Sequence, residues 1–151
     1  METQVLSPNG VTKPQMQLTT SLFFNGNAEE VLEYYRSALG GEVEIRQFAG
    51  TPAAEFVPPE WAGKVIYGML RSPLGNVAAM DTPPDRAVEP GGSFGISIET
   101  QNEAQAEDVF SKLSAGGEAT MPLEKTFWAK KFGMCTDKFG IKWMVNYGLG
   151  E

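Results

Sequence analysis

The chain carries the same set of structural signals twice. Asn27 and Asn102, each followed by apolar residues at helical spacing, lie 75 positions apart. The glycine pairs that would end the two helices, Gly40-Gly41 and Gly116-Gly117, lie 76 positions apart. Fixed spacing of this kind indicates an internal duplication. We therefore predict two modules, at residues 17–82 and 93–148 of one domain, with a linker at 83–92 between them.

Each module is predicted to contain one helix whose ends are marked in the sequence. Asn27 with Glu30, and Asn102 with Gln105, match the capping box that begins a helix. Glycine after the last helical turn is the usual stop signal. The residues expected on the buried sides of the two helices are Ala28, Val31, Leu32, Tyr35, Ala38 and Leu39, and Ala106, Val109, Phe110 and Leu113.

Short apolar segments around these helices predict strands at 17–24, 42–48, 64–71, 76–81 and 94–99. Comparable strands follow Gly41 and Gly117, and residues 49–63, with three prolines, predict a loop. Each module then has the order strand, helix, strand, strand, strand. A sheet covered on one face by a single helix leaves its other face for a partner or a ligand, and two such faces can line a shared cleft.

The most informative single segment is 126–147, which predicts a β-hairpin. Asp137 and Gly140 suit the first and last positions of its turn. In the second strand, Ile141, Trp143, Val145 and Tyr147 alternate with Lys142, Met144 and Asn146, so one face is apolar and the other mixed. Trp143 is expected in the core and Met144 toward the cleft. Aligning 75–81 with 140–146 makes Asp81 and Asn146 equivalent, on one face.

Composition excludes several classes of function. The 151-residue chain has a net charge of −7 and no basic block, which argues against nucleic acid and anionic membrane as partners. Its single cysteine, Cys135, excludes an internal disulfide and favours a cytoplasmic location. Residues 1–16 lack the features of a signal peptide and predict a disordered tail. No glycine-rich nucleotide fingerprint is present, and no apolar run approaches membrane-spanning length.

The early segment FNGNAEEVLEYYRSALGG and the late segment TFWAKKFGMCTDKFGIKWMVN resemble the PhnB-like branch of the glyoxalase/bleomycin-resistance/dioxygenase (vicinal oxygen chelate) superfamily. The resemblance implies an α+β fold of two tandem βαβββ modules, a cupped mixed sheet with a central cavity, and a homodimer. Lys138, where the family often has proline, is a departure. The metal ligands of its enzymes would fall on Thr20, Ala79, Ser93 or Gly95, and Met144, none of which suits a hard divalent ion.

The chain has no histidine, which removes the commonest nitrogen ligand and the usual base near neutral pH. We therefore predict no metal and no cofactor. An oxygen-only magnesium or manganese site from Asp81, Glu99 or Asp85 is the alternative, although their spacing offers no cluster.

Seven residues are candidates for ligand binding: Tyr67, Asp81, Trp128, Lys130, Phe132, Met144 and Asn146. Trp128 and Phe132, with Lys130 between them, are predicted to share a ligand-facing surface. For each candidate a structural role competes: Asp81 and Asn146 as turn caps, Tyr67 as packing, and Lys130 as an edge-strand charge. Cys135 is expected to be a buried, inert thiol.

The leading functional hypothesis is a metal-independent small-molecule-binding protein that acts as a sequestering, resistance-type or sensing protein. The alternative is a metal-dependent lyase, isomerase or dioxygenase of the same superfamily with an atypical carboxylate site. A third possibility is a scaffold without catalytic activity whose dimer surface is its function.

Overall fold

A computed structural model describes residues 5–6, 12–13, 18–89 and 91–150. Strands β1 (Val5–Leu6) and β2 (Thr12–Lys13) pair antiparallel. The other residues of the predicted tail at 1–16, and Gln17 of the first predicted strand, lie outside the described residues. Within the described part of the chain, no helix is both long and apolar enough to cross a membrane.

The two modules have the same order of elements. The first contains β3 (Thr20–Phe24), α1 (Ala28–Leu39), β4 (Glu42–Gln47), β5 (Val65–Ser72) and β6 (Gly75–Asp81). The second contains β7 (Ile96–Thr100), α2 (Glu103–Ser114), β8 (Glu118–Glu124), β9 (Lys131–Thr136) and β10 (Lys142–Tyr147). Sheet 1 has the order β3-β6-β5-β4 and sheet 2 the matching order β7-β10-β9-β8. In each sheet the first pair is parallel and the other two are antiparallel. The predicted α+β fold of two βαβββ modules is confirmed.

The helices lie where the sequence predicts them, but their N-termini are stabilised differently. At α2, Asn102 Oδ1 accepts a 2.8 Å hydrogen bond from Gln105 N, so Asn102 caps the helix as predicted. The reciprocal bond of the box is displaced by one residue, because Gln105 Oε1 accepts from Gln101 N at 2.8 Å and not from the Asn102 amide. The prediction at α1 is wrong, because Asn27 makes no side-chain cap hydrogen bond. A carboxylate from another strand, Asp81, takes that place.

The loop at 49–63 and the linker are more ordered than the sequence suggests. Short 3-10 helices occupy Pro52–Phe56 and Pro59–Trp61 in the loop, and Pro84–Arg86 in the linker. Asn25 holds the linker through both ends of its side-chain amide: Nδ2 donates to Val88 O at 2.7 Å, and Oδ1 accepts from Val88 N at 2.9 Å.

One hydrophobic core spans both modules. The two helices pack on each other as well as on their own sheets. The ring of Tyr35 on α1 lies 5.0 Å from that of Trp143 on β10, edge to face, and both side chains are almost fully buried. We call the side of each sheet that faces this core the helix face and the opposite side the front face. Because the two helix faces share one core, both front faces lie on its outside.

A buried carboxylate ties the modules together. Asp137, in the turn between β9 and β10, accepts hydrogen bonds at Oδ1 from the amides of Phe139 (2.9 Å) and Ile141 (3.0 Å). Its Oδ2 accepts from the Tyr35 hydroxyl (2.5 Å) and from Trp143 Nε1 (2.8 Å). Burial, and then the nearby Asp137 carboxylate, raise the pKa of the Tyr35 hydroxyl far above its usual value. The residue that begins the turn therefore also links module 2 to α1.

Lys138 contributes to the same junction. Its ammonium lies 4.5 Å from the ring centre of Tyr34 and 5.3 Å from that of Phe139. The Tyr34 hydroxyl in turn donates to carbonyls at the end of α2, including Ala115 O at 3.0 Å. A proline at position 138 would remove this cation–π contact.

Candidate functional site

The front face of sheet 2 is defined by the strand register. Phe132 on β9 lies directly opposite Asn146 on β10, and Met134 lies directly opposite Met144. Asn146 in turn pairs with Glu99 on the edge strand β7. The residues between these positions belong to the helix face: an added Cβ on Gly133 would meet Phe110 of α2 at 2.9 Å. Aromatic, thioether, amide and carboxylate side chains therefore share one surface.

An aromatic cluster stands at one end of this surface. The rings of Trp128 and Phe132 are in edge-to-face contact with centroids 5.3 Å apart, and Phe127 contacts Trp128 at 4.7 Å. Phe127 is 95% exposed. The turn that carries the cluster is held by Thr126 Oγ1, which accepts from Ala129 N at 3.1 Å. The predicted proximity of Trp128 and Phe132 is confirmed, while their role in binding stays a prediction.

Lys130 is not directed as the sequence predicts. Its ammonium lies 5.5 Å from the ring centre of Tyr147, which is two residues from Val145 and so on the helix face of β10. The alternation that placed Lys130 between Trp128 and Phe132 does not apply, because β9 begins only at Lys131.

Asn146 forms part of the floor of the front face. It is 4% exposed, and its Nδ2 donates to Ser97 Oγ at 3.0 Å and to Ile98 O at 3.3 Å. These bonds tie β10 to the edge strand β7 beside the aromatic cluster. Met144 and Met134 are half-buried next to it. The floor is thus polar at Asn146 and otherwise apolar and polarisable.

Asp81 has a structural role. It is 4% exposed, and its Oδ1 accepts from the amides of Gly26 and Ala28, both at 2.9 Å. Its Oδ2 accepts from Val65 N at 2.9 Å. The carboxylate therefore supplies the cap that Asn27 does not supply, and the positive end of the α1 dipole favours its charge. We leave Asp81 out of the ligand site.

The predicted equivalence of Asp81 and Asn146 is wrong by one residue. Ala79 pairs with Gly68 in sheet 1 as Val145 pairs with Gly133 in sheet 2, so Asp81 corresponds to Tyr147. The turn between β9 and β10 is one residue longer than the turn between β5 and β6. Arg71 pairs with Asn76, five positions later, whereas Thr136 pairs with Lys142, six positions later. A shift of one residue reverses the face, so Asp81 lies on a helix face and Asn146 on a front face.

Tyr67 lies on the front face of sheet 1. It is 42% exposed and directly opposite Arg46. On the same face, Glu44 contacts Arg46 at 3.7 Å and Arg71 at 3.6 Å, and all three side chains are largely exposed. Tyr67 and the aromatic cluster thus belong to different sheets.

A pocket of about 390 Å³ lies where the modules meet. Phe23 on β3 and Phe94 before β7 line it, with Val88 and Glu89 of the linker and Ile141 of module 2. The two phenylalanines are 53% and 50% exposed. The sequence analysis did not identify this pocket.

The four positions that the resemblance implies for metal ligands do not share a surface. Ala79 is fully buried on the helix face, and Thr20, two residues from the buried Leu22, lies on the same side of sheet 1. Met144 is on the front face of sheet 2, where an added Cβ on Gly95 would lie 3.7 Å from its Cε. Among the residues that the structure describes, no group of three histidine, cysteine, aspartate or glutamate side chains is placed to hold a metal ion.

Cys135 is 1% exposed on the helix face of β9, as predicted for a buried thiol. Burial, and secondarily the Asp137 carboxylate, raise its pKa to about 11. At neutral pH the thiol is therefore protonated, which is the unreactive form.

Sequence reasoning missed Met134, considered Glu99 only as a metal ligand, and assigned Asp137 only to the hairpin turn. The hairpin register would have placed Met134 opposite Met144. The link from Asp137 to Tyr35 joins residues 102 positions apart and has no local signal.

Comparisons with known proteins agree with this architecture. The sequence pattern of the family described as "3-demethylubiquinone-9 3-methyltransferase" matches residues 16–146. Protein YjdN of Escherichia coli K12 is 30% identical over 142 residues, covering 87% of this chain and 95% of the relative. The crystal structure of PA1353 from Pseudomonas aeruginosa is 36% identical with a TM-score of 0.79, covering 88% of this chain and 98% of that one.

Two more distant structures share the fold. One is a Bacillus cereus protein described as a putative 3-demethylubiquinone-9 3-methyltransferase, PhnB protein; it has a TM-score of 0.68 and 24% identity, covering 87% of this chain and 99% of that one. The other is a glyoxylase/bleomycin resistance protein/dioxygenase domain from Frankia, with a TM-score of 0.62 and 12% identity, covering 90% and 93%. The chain therefore belongs to the PhnB-like family described as 3-demethylubiquinone-9 3-methyltransferase, with the glyoxalase/bleomycin-resistance/dioxygenase fold.

Proposed function

We propose that this protein is a metal-independent small-molecule-binding protein that holds its ligand on the front face of sheet 2 and acts as a cytoplasmic homodimer. The observation that carries the proposal is the surface formed by Trp128, Phe132, Met134 and Met144, with the exposed Phe127 beside it. Contiguous exposed apolar surface on a small protein usually marks a binding site. Aromatic and thioether groups also suit a ligand with a planar or irregular apolar body.

The homodimer is proposed because both front faces lie outside the shared core. A ligand on one open sheet keeps much of its surface in water, whereas binding pockets usually bury most of a ligand. A second copy could bring the front face of its sheet 1, with Tyr67, over the aromatic cluster. Sedimentation or light scattering should therefore give twice the chain mass.

Metal independence is proposed because the chain lacks histidine and because the implied ligand positions point to different faces. Protein purified without chelator should contain much less than one divalent ion per chain. About one equivalent, lost together with activity on chelation, would favour the alternative, a metal-dependent lyase, isomerase or dioxygenase.

Methyl transfer, which the family description names, is not part of the proposal. The sequence shows no glycine-rich nucleotide-binding segment that would point to a nucleoside-containing methyl donor.

A thermal-shift screen with aromatic and amphiphilic small molecules tests the proposal. A ligand that binds only the folded state raises its stability, and at about one hundred times its dissociation constant it adds roughly 2.7 kcal/mol, enough to raise the Tm by several degrees. Such shifts should be lost in Trp128→Ala and retained in Phe56→Ala, which removes an exposed aromatic from the 49–63 loop. No stabilising compound, or equal shifts in Trp128→Ala, would contradict the proposed site and favour a scaffold role.

A further inference from the structure

We infer that the ligand of this front face is an organic cation: an aromatic or apolar body bearing an ammonium group two or three bonds away. This inference rests on the proposed function, since it names the chemical class of ligand for the same surface. It follows from one row of residues on neighbouring strands. Glu99, Asn146 and Phe132 lie side by side on β7, β10 and β9, with Trp128 against Phe132. A second exposed carboxylate, Glu124, lies opposite Phe132 on β8.

The carboxylate of Glu99 is available to a ligand. Glu99 is exposed on the edge strand β7, and among the described residues no lysine or arginine forms a salt bridge with it. It projects from the front face because it pairs directly with Asn146. A cation bound there would gain a charge-assisted hydrogen bond or ion pair beside an apolar floor.

Three lysines near this surface are engaged elsewhere. The Lys130 ammonium lies over Tyr147, and Lys131 forms a 3.3 Å salt bridge with Glu103 at the start of α2. Lys142 is four residues from Asn146, roughly 13 Å along the strand, and donates to Gly92 O at 3.3 Å. These three positive charges are thus directed away from the aromatic cluster, which favours a cationic ligand over an anionic one.

The aromatic cluster is suited to the apolar body of the ligand. An aromatic ring can pack against Trp128 or Phe132, edge to face or offset-stacked, while the ammonium group reaches Glu99. Met134 and Met144 supply a polarisable surface for the attached apolar body. The net charge of −7 adds a long-range attraction for cations and a repulsion for anions.

The strand spacing fixes the size of the ligand. Glu99 and Phe132 are separated by two strand intervals, which is roughly 10 Å. Side chains on one face stand roughly perpendicular to the sheet, so the Glu99 carboxylate and the Phe132 ring keep about this separation. A phenyl ring joined to an ammonium group by two or three bonds can contact both.

Three probes of similar size test the inference on the full-length protein: trimethyl(2-phenylethyl)ammonium, the neutral 2-methyl-4-phenylbutan-2-ol, and the anion 3-phenylpropionate. Calorimetric titration should show the ammonium compound binding about tenfold more tightly than the alcohol, and the anion most weakly. A tenfold ratio corresponds to one modest ion pair with Glu99. Glu99→Gln should reduce the ammonium affinity to that of the alcohol and leave the alcohol unchanged.

The control and the adverse outcomes separate this inference from the proposed function. Glu118→Gln removes an exposed carboxylate on β8, opposite Thr136 at the far end of the sheet, and should change neither affinity. Equal binding of the ammonium compound and the alcohol, with both weakened by Trp128→Leu, would overturn the cation inference and leave the binding site standing. Tightest binding of the anion, no binding of the ammonium compound, or full binding in Glu99→Gln would also overturn it. The thermal-shift screen tests the proposed function separately, because only the absence of stabilising compounds, or equal shifts in Trp128→Ala, would contradict the site itself.

Discussion

Removing the Asp137 carboxylate should cost this protein a large part of its stability. The side chain is 3% exposed and accepts four hydrogen bonds, from the amides of Phe139 and Ile141, the Tyr35 hydroxyl and the Trp143 indole. Hydrogen bonds to a charged group contribute about 1.5–3 kcal/mol each, but part of this gain offsets the cost of burying the charge. We therefore expect Asp137→Ala to lower the free energy of unfolding by about 4 kcal/mol.

Most of that loss comes from the donors left behind. Tyr35 is 0% exposed and Trp143 1% exposed, so neither donor gains water as a replacement partner. An unsatisfied buried donor costs about 1–3 kcal/mol. Tyr35→Phe alone should cost about 1–2 kcal/mol. Added to Asp137→Ala, it should restore part of the lost stability, because it removes a buried donor that has no partner in that variant.

Urea unfolding followed by circular dichroism measures these differences. Asp137→Asn serves if the alanine variant does not fold: it keeps the shape but places an amide against the Trp143 donor, and it should still lose about 2–3 kcal/mol. Asp108→Asn, which breaks an exposed 3.1 Å ion pair with Lys112, should change stability by less than about 0.5 kcal/mol. A loss below about 1 kcal/mol in Asp137→Ala, or additive effects with Tyr35→Phe, would refute the reasoning.

Three further predictions concern local structure. Asn102→Ala should destabilise the protein by about 1 kcal/mol, whereas Asn27→Ala should cost less than about 0.5 kcal/mol, because only Asn102 caps its helix; equal losses on urea unfolding would contradict the assignment. Gly133→Ala should cost about 1–3 kcal/mol in the same assay, since its new Cβ would lie 2.9 Å from Phe110 Cε2, and an unchanged midpoint would be the opposite result. Cys135 should react with a disulfide reagent at pH 8 only on unfolding. The pKa of the Cys135 thiol is roughly 8.5 in the unfolded chain and about 11 in the folded one. Its contribution to the free energy of unfolding is therefore complete below the unfolded-state pKa and is lost as the pH rises toward 11. The prediction would be wrong if the free energy of unfolding of the unaltered protein fell no faster over this pH range than that of Cys135→Ala.

The elements that the sequence predicted well are those with local signals. The helix C-terminus at Gly40 and the turn from Asp137 to Gly140 depend on residues close together in the chain, and both formed as expected. Gly40 has a φ of 80°, a region that favours glycine, so its position alone marks the end of α1. The alternation along β10 likewise placed Trp143 in the core.

The site was less predictable because it depends on register and on tertiary contacts. One additional residue in the turn after β9 reversed the face of Asn146 relative to Asp81, and sequence spacing alone did not show which module had the longer turn. The Asp81 carboxylate replaced Asn27 at the start of α1 from a strand more than 50 residues away. Lys130 lies against Tyr147 because β9 starts at Lys131, three residues after Trp128, where the alternation assumed the strand had already begun.

The bond between Tyr35 and Asp137 also distinguishes the two halves of the duplicated chain. At the helix spacing of 75, the counterpart of Tyr35 is Phe110, which has no hydroxyl. At the turn spacing of 65, the counterpart of Asp137 is Ser72, whose hydroxyl donates locally to Gly75 O at 2.6 Å. The bond therefore has no symmetry-related mate. A chimaera built from two copies of either half would have to assemble without it, because neither half contains both partners.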